Sequence, residues 1–142
     1  TDVLRQEPLR LISQNIINTR LEKEPLVMIG IRKPSLHFYS KQIVFYESNS
    51  PEGILNLHER FIFDQRSNNL YKPNYEANTF LVVIDKYSKK EKSWENFNNL
   101  KLGSFGIYEL LRVKRIDLDN YADYLRENGI ESNWRLVKYE KF

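Results

Sequence analysis

The spacing of apolar residues changes several times along the chain, and each change predicts a new element. In "LRLISQNIINTRLEK" (9–23), Leu9, Ile12 and Ile16 recur at three- and four-residue steps, and Ile17 and Leu21 widen the stripe. That spacing predicts an amphipathic helix of about four turns, stopped by Pro25. "PLVMIGIRK" (25–33) is continuously apolar, reads as extended and is closed by Pro34. "LHFYSKQIVFYES" (36–48) is rich in aromatic and β-branched residues and predicts a hairpin or one bent strand, with Ser40 and Lys41 at the bend. Ser50, Pro51 and Glu52 then supply a helix start, with a cap, a first-turn proline and an acid at the positive helix end. Ile54, His58 and Phe61 share a face of that helix, placed at 51–59. "RFIFDQRSNNLYK" (60–72) reads as two short strands around a Ser-Asn-Asn turn.

"TFLVVIDKY" (79–87) is the clearest strand, because its unbroken apolar run predicts burial on both faces and a central place in a sheet. "SWENFNNLKLG" predicts a helix over 93–102, capped by Ser93 and ended by Gly103. "SFGIYELLRVKRI" (104–116) reads as strand, and "DLDNYADYLRENG" as a helix over 118–128 that stops at Gly129. "NWRLVKYEKF" closes the chain as an alternating strand. No repeat, low-complexity tract or linker interrupts these elements. Together they predict a single α+β domain, with a mixed, mainly antiparallel sheet of about five to seven strands and helices at 9–23, 51–59, 93–102 and 118–128.

Composition narrows the class. With 142 residues, 41% hydrophobic and 29% charged, the chain can bury its own core and is not expected to be disordered. It has no Cys, which excludes disulfides, thiolate metal sites and cysteine nucleophiles. No apolar run approaches the roughly 18 residues of a membrane span. An intracellular, cytoplasmic protein without a membrane partner is the expectation. The sequence opens on Thr1 rather than Met, as a piece of a longer chain would. Its 22 basic and 19 acidic residues give a net charge of +3, which permits a polyanionic partner without demanding one.

Two constellations carry candidate chemistry. Asp64 ends "RFIFD" and Asp85 ends "FLVVID", and Lys86 and Lys89 follow. Carboxylates on two strands with a lysine nearby can hold Mg²⁺ for phosphodiester hydrolysis, so Asp64 and Asp85 are the candidate metal ligands. Position 87 is Tyr where a lysine would complete the usual spacing, and strand ends attract aspartate without any chemistry. The second constellation is basic and aromatic. Lys86, Lys89, Lys90 and Lys92 crowd one loop with Tyr87 and Trp94, and Arg112, Lys114 and Arg115 form another group. Such groups neutralise phosphates while rings stack bases, although lysines also protect sheet edges.

The remaining motifs exclude more than they suggest. His37 and His58 have no zinc spacing, no serine lies in a Gly-x-Ser-x-Gly elbow, and "GSFG" lacks the context of a phosphate loop. The expected function is therefore a nucleic-acid-associated domain binding through the 86–94 loop and the 112–115 strand, with a nuclease-like metal site as an addition. The alternative is a non-catalytic inhibitor or immunity-type module. It would dock a basic protein partner on the acidic helix that carries Asp117, Asp119, Asp123, Glu127 and Glu131.

Overall fold

The computed structural model describes residues 2–21, 24–30, 33–41, 44–63, 78–90, 94, 97 and 99–133. In chain order they form helix α1 (Asp2–Thr19), strand β1 (Leu26–Ile29), helix α2 (Pro34–Ser40), strand β2 (Val44–Glu47) and helix α3 (Pro51–Phe63). Strand β3 (Thr79–Asp85), the single turn α4 (Lys86–Lys89), strands β4 (Asn99–Phe105) and β5 (Tyr108–Lys114), and helix α5 (Arg115–Glu127) complete it. The five strands make one mixed sheet in the order β2-β1-β3-β5-β4. β1 pairs in parallel with β2 and β3, whereas β5 pairs antiparallel with β3 and β4 through longer ladders. The fold is a single compact α+β domain.

Strand alternation divides the core into two layers. Val27, Ile29, Phe45, Phe80, Val82, Ile84, Leu111 and Val113 face α3 and α5 and pack against Leu57, Phe61, Leu118 and Leu125. Leu26, Met28, Leu81, Val83 and Leu110 face α1 and α2 and pack against Leu9, Ile12, Ile16 and Leu36. β3 is buried from Phe80 onward because it lies between both layers, as its apolar continuity predicts.

Three expectations are corrected. Residues 36–48 are not a hairpin: α2 occupies 34–40 and only 44–47 is strand. Pro34, with its fixed φ, suits a first helical position, and Lys41 at φ 57 ends the helix in left-handed backbone. Nor do residues 93–102 form one helix, because β4 begins at Asn99 and pairs with β5. The β4–β5 hairpin closes on Gly106 (φ 61) and Ile107, with the glycine first as a type II′ turn requires. Finally, 60–63 continues α3, since Phe61 shares the buried helical face of Ile54 and Leu57. The rest of the proposed 60–72 strands and the 134–142 strand lie outside the described residues.

Candidate functional site at the carboxyl ends of the parallel strands

β1 and β3 are parallel neighbours whose chains diverge. β1 leads through α2 to β2 on one side, and β3 leads to the β4–β5 hairpin on the other. Open α/β sheets bind ligands in the crevice outside the carboxyl ends at such a divergence. Here that place is formed by Gly30 after β1, Asp85 at the end of β3, and Ser88 in α4. Gly30 has φ +90, and a Cβ on it would lie 2.0 Å from Ser88 Oγ and 2.9 Å from Asp85 Oδ1. Only glycine allows this close approach. Its N–H donates to the Glu47 carbonyl at 2.9 Å, which ties the end of β1 to β2.

Asp85 is 4% exposed. Its Oδ2 accepts from the Ser88 N–H at 3.1 Å and caps α4. Its Oδ1 is buried and has no hydrogen-bond partner among the described residues. Buried acceptors are nearly always paired, so Asp85 is more than the solvated end of a strand: one oxygen holds the turn and the other remains able to accept.

Glu47 ends β2 on the opposite face, toward α3. Asn56 Nδ2 donates to Glu47 Oε2 at 3.2 Å and to Asn133 Oδ1 at 2.8 Å, and the Asn133 N–H donates to Asn56 Oδ1 at 2.8 Å. Arg60 Nη2 lies 3.2 Å from Glu47 Oε1. Burial pushes the Glu47 carboxyl above its ordinary value, and Arg60 and Asn56 oppose that push. Further along α3, His58 Nε2 is 3.1 Å from Asp119 Oδ1, and its Nδ1 is 3.2 Å from Arg126 Nη2. Because arginine only donates, Nδ1 accepts and the imidazole proton sits on Nε2, facing Asp119. Arg115 Nε also donates to Asp119 Oδ1 at 3.3 Å. Beside this network a cleft of about 470 Å³ is lined by Glu59, Arg126, Gly129, Ile130, Glu131 and Ser132.

Burial first, then the Arg126 charge, holds the His58 pKa below its usual 6.5. The unfolded chain therefore binds a proton that the folded domain refuses. His58's contribution to stability is complete above the unfolded value of 6.5 and is lost progressively as the pH falls from there through the lower folded-state pKa. Urea unfolding at pH 7.5 and 5.5 should show a larger acid loss for the native chain than for His58→Gln. Equal losses would contradict the assignment.

The basic residues singled out by the sequence do not form one surface. Lys89 Nζ and Lys101 Nζ both lie 3.2 Å from Glu109 Oε1, and Lys86 sits over the Tyr87 ring at 5.3 Å. Trp94 is 3% exposed and packs on Phe97 at 5.0 Å, so it offers no stacking face. Arg112 makes a two-point pair with Glu24, and Arg115 binds Asp119 and covers the Phe61 ring at 4.9 Å. Lys90 and Lys114 are exposed, and Lys92 lies outside the described residues. The two groups also sit at opposite ends of a ladder. Asp85 faces Tyr108, whereas Leu81 faces Arg112, about 14 Å away at roughly 3.4 Å per residue.

The proposed metal ligands and the acidic helix are placed as follows. Asp64 lies outside the described residues, and no group of three or more His, Asp or Glu side chains gathers to hold a metal among them. On α5, Asp119 and Asp123 are paired with neighbours, and Asp117 has a buried carboxylate oxygen. Asp123, Glu127 and Glu131 are exposed. Sequence reasoning missed Gly30, Glu24, Asn56 and Arg126. Of these only Gly30, a lone glycine directly after an apolar strand, carried a local signal.

Over residues 19–129 the chain matches the family described as cyanobacterial RgtA-type glycosyltransferase, C-terminal domain. The chain belongs to this family. No curated protein and no solved structure matches it. The matched span of this RgtA-type C-terminal domain takes in Gly30, Glu47, Asn56, Asp85 and Arg126, and it stops just before Ile130. Membership overturns the expected nucleic-acid-binding and nuclease function, and with it the inhibitor or immunity-type alternative. Among the described residues no helix is long and apolar enough to cross a membrane.

Proposed function

We propose that this chain is the C-terminal domain of a longer glycosyltransferase, and that it serves sugar transfer by holding a saccharide hydroxyl at Asp85. The observation that carries this reading is the family match across 19–129. The geometry supports it. A carboxylate oxygen only accepts, and a sugar hydroxyl is a ready donor. Asp85 Oδ1 is buried, where a charge-assisted hydrogen bond is stronger than in water. Gly30 is exposed and has no side chain to block approach. Ser88 Oγ occupies the same place, and a turn of that side chain to another staggered rotamer makes room for the incoming hydroxyl. The role is binding and orientation: Asp85 fixes one hydroxyl so that the rest of the sugar is presented to the transferring site.

Steady-state glycosyl transfer by the longer chain, native and Asp85→Asn, tests this. Asparagine keeps the shape and can still cap α4, but it presents an NH₂ donor where Oδ1 accepted. KM should rise about tenfold or more, as expected for the loss of a hydrogen bond to a charged group, with little change in thermal stability. An unchanged KM would remove Asp85 from the reading. A longer chain that transfers no sugar would remove the reading itself.

A further inference from the structure

We infer that the slot between Gly30 and Ser88 takes only an unsubstituted hydroxyl of the bound sugar, with Ser88 as a specificity-determining residue. Deoxy, O-methyl and O-acyl sugars are rejected at that position. This rests on the reading of Asp85 as a saccharide site and adds what the site turns away. Asp85 is buried, and its Oδ1 has no hydrogen-bond partner among the described residues. A buried acceptor left without a donor is costly, so the group that belongs beside Oδ1 must bring a proton. A deoxy position brings none, and an ether or ester oxygen has lost its own. A site built around one such hydrogen bond rejects analogues that lack the donor far more strongly than an apolar pocket rejects a missing methylene.

The slot is also too narrow for more than a hydroxyl. The point where a Gly30 Cβ would stand is 2.0 Å from Ser88 Oγ, 2.7 Å from Ser88 Cβ and 2.9 Å from Asp85 Oδ1. Ser88 and the bare Gly30 backbone therefore close on the unshared carboxylate oxygen from two sides. Both walls are held. Gly30, at φ +90, is tied by its N–H to the Glu47 carbonyl at 2.9 Å, and Ser88 by its N–H to Asp85 Oδ2 at 3.1 Å. What can move is the Ser88 hydroxyl, by rotation to another staggered position. Its departure clears room for one incoming oxygen, whereas a further methyl or acyl group would press on the Gly30 backbone or on Ser88 Cβ.

Ser88 sets the limit because it is small and unbranched at Cβ. Threonine would fill two of the three staggered positions there, so one of its two groups would be harder to keep out of the slot. Alanine would leave the slot open by one atom, yet Oδ1 would still need a donor. The two substitutions thus separate the two demands of the site, size and proton. The discrimination concerns one ring position and places no demand on charge elsewhere on the sugar. Enzymes that methylate or acylate the contacted hydroxyl must act after transfer, because the modified sugar no longer fits.

The test is an NMR titration of the ¹⁵N-labelled chain with the methyl glycosides of glucose, galactose and mannose, and with the matching methyl uronosides. The tightest binder is then compared with its monodeoxy and mono-O-methyl derivatives. The parent sugar should shift the Gly30 and Ser88 amides saturably. At one ring position both the deoxy and the O-methyl derivative should bind at least about tenfold more weakly. Ser88→Ala should recover part of the O-methyl loss and none of the deoxy loss, and Ser88→Thr should weaken the parent about fivefold or more. Both variants alter a half-buried side chain and keep the N–H that Asp85 accepts from, and a loss of stability would not change the ratio of parent to derivative. An O-methyl derivative that binds as well as the parent at every position would overturn the inference, as would Ser88 variants that leave every ratio unchanged. A deoxy loss confined to one position would in those cases keep the Asp85 reading standing. A flat titration with every sugar would also overturn the inference, and the KM of Asp85→Asn would then decide the Asp85 reading by itself.

Discussion

Replacing Arg112 with alanine should destabilise the domain by about 3–5 kcal/mol, the usual cost of removing one partner of a buried ion pair. Glu24 is 0% exposed. Its Oε1 accepts from Arg112 Nη2 at 3.0 Å and from the Leu21 N–H at 3.2 Å, and its Oε2 accepts from Arg112 Nε at 3.0 Å and from the Thr79 hydroxyl. The same guanidinium reaches the Thr19 carbonyl at 2.7 Å, so the Arg112–Glu24 pair joins the end of α1, the segment before β1, β3 and β5. Alanine would leave a fully buried carboxylate without its hydrogen-bonded counter-charge, with only the Arg20 guanidinium still nearby among the described residues. Arg112→Lys should recover little, because an ammonium cannot make the two-point fork. The double change Glu24→Gln with Arg112→Met should recover much of the loss, since no bare charge is then buried. Urea midpoints at unchanged slope measure all three. A loss below about 1 kcal/mol for Arg112→Ala would show that the pair behaves like a surface one.

Phe61→Ala should cost about 3–5 kcal/mol as well, through lost burial and the cavity left behind. Phe61 is 0% exposed and meets Phe80 edge-on at 5.3 Å and Phe45 at 6.1 Å. Arg115 covers it at 4.9 Å. This ring fixes α3 to the sheet, and α3 carries Asn56, His58 and Glu59. Unfolding by urea should show the loss, and the signal of the Asn133 amide should broaden as its anchor loosens. A change below about 1 kcal/mol would mean that the surrounding core collapses around the gap.

How far the sequence could lead depended on the range of the interaction involved. β3 was legible because an unbroken apolar run is a local signal, and α3 because Ser50 and Pro51 mark its start; the Gly53 N–H does donate to Ser50 Oγ at 3.2 Å. α5 appeared close to its predicted place for the same reason. Residues 36–48 misled because aromatic and β-branched composition suits strands on average, whereas Pro34 and the left-handed Lys41 decided the local backbone. Asn99–Phe105 misled in the opposite direction: its strand depends on pairing with β5.

The site followed the same rule. Asp85 stood out at the end of its strand, but its unshared oxygen depends on Gly30, which lies far off in sequence. Arg112 read as a free cation because its partner, Glu24, is 88 residues away. The cleft draws on α3, on the end of α5 and on the turn after it, and no pattern in the sequence joins those three. Lysines and aromatics close together in sequence suggested a shared surface; folding sends Trp94 inward and gives Lys89 to Glu109.

The most direct measurement is glycosyl transfer by the longer chain, with and without the segment that corresponds to this domain, in the presence of saturating activated donor and a series of acceptor concentrations. Loss of transfer or a large rise in acceptor KM on removing the segment is the predicted result. Full activity at unchanged KM without it would contradict a part for this domain in sugar transfer.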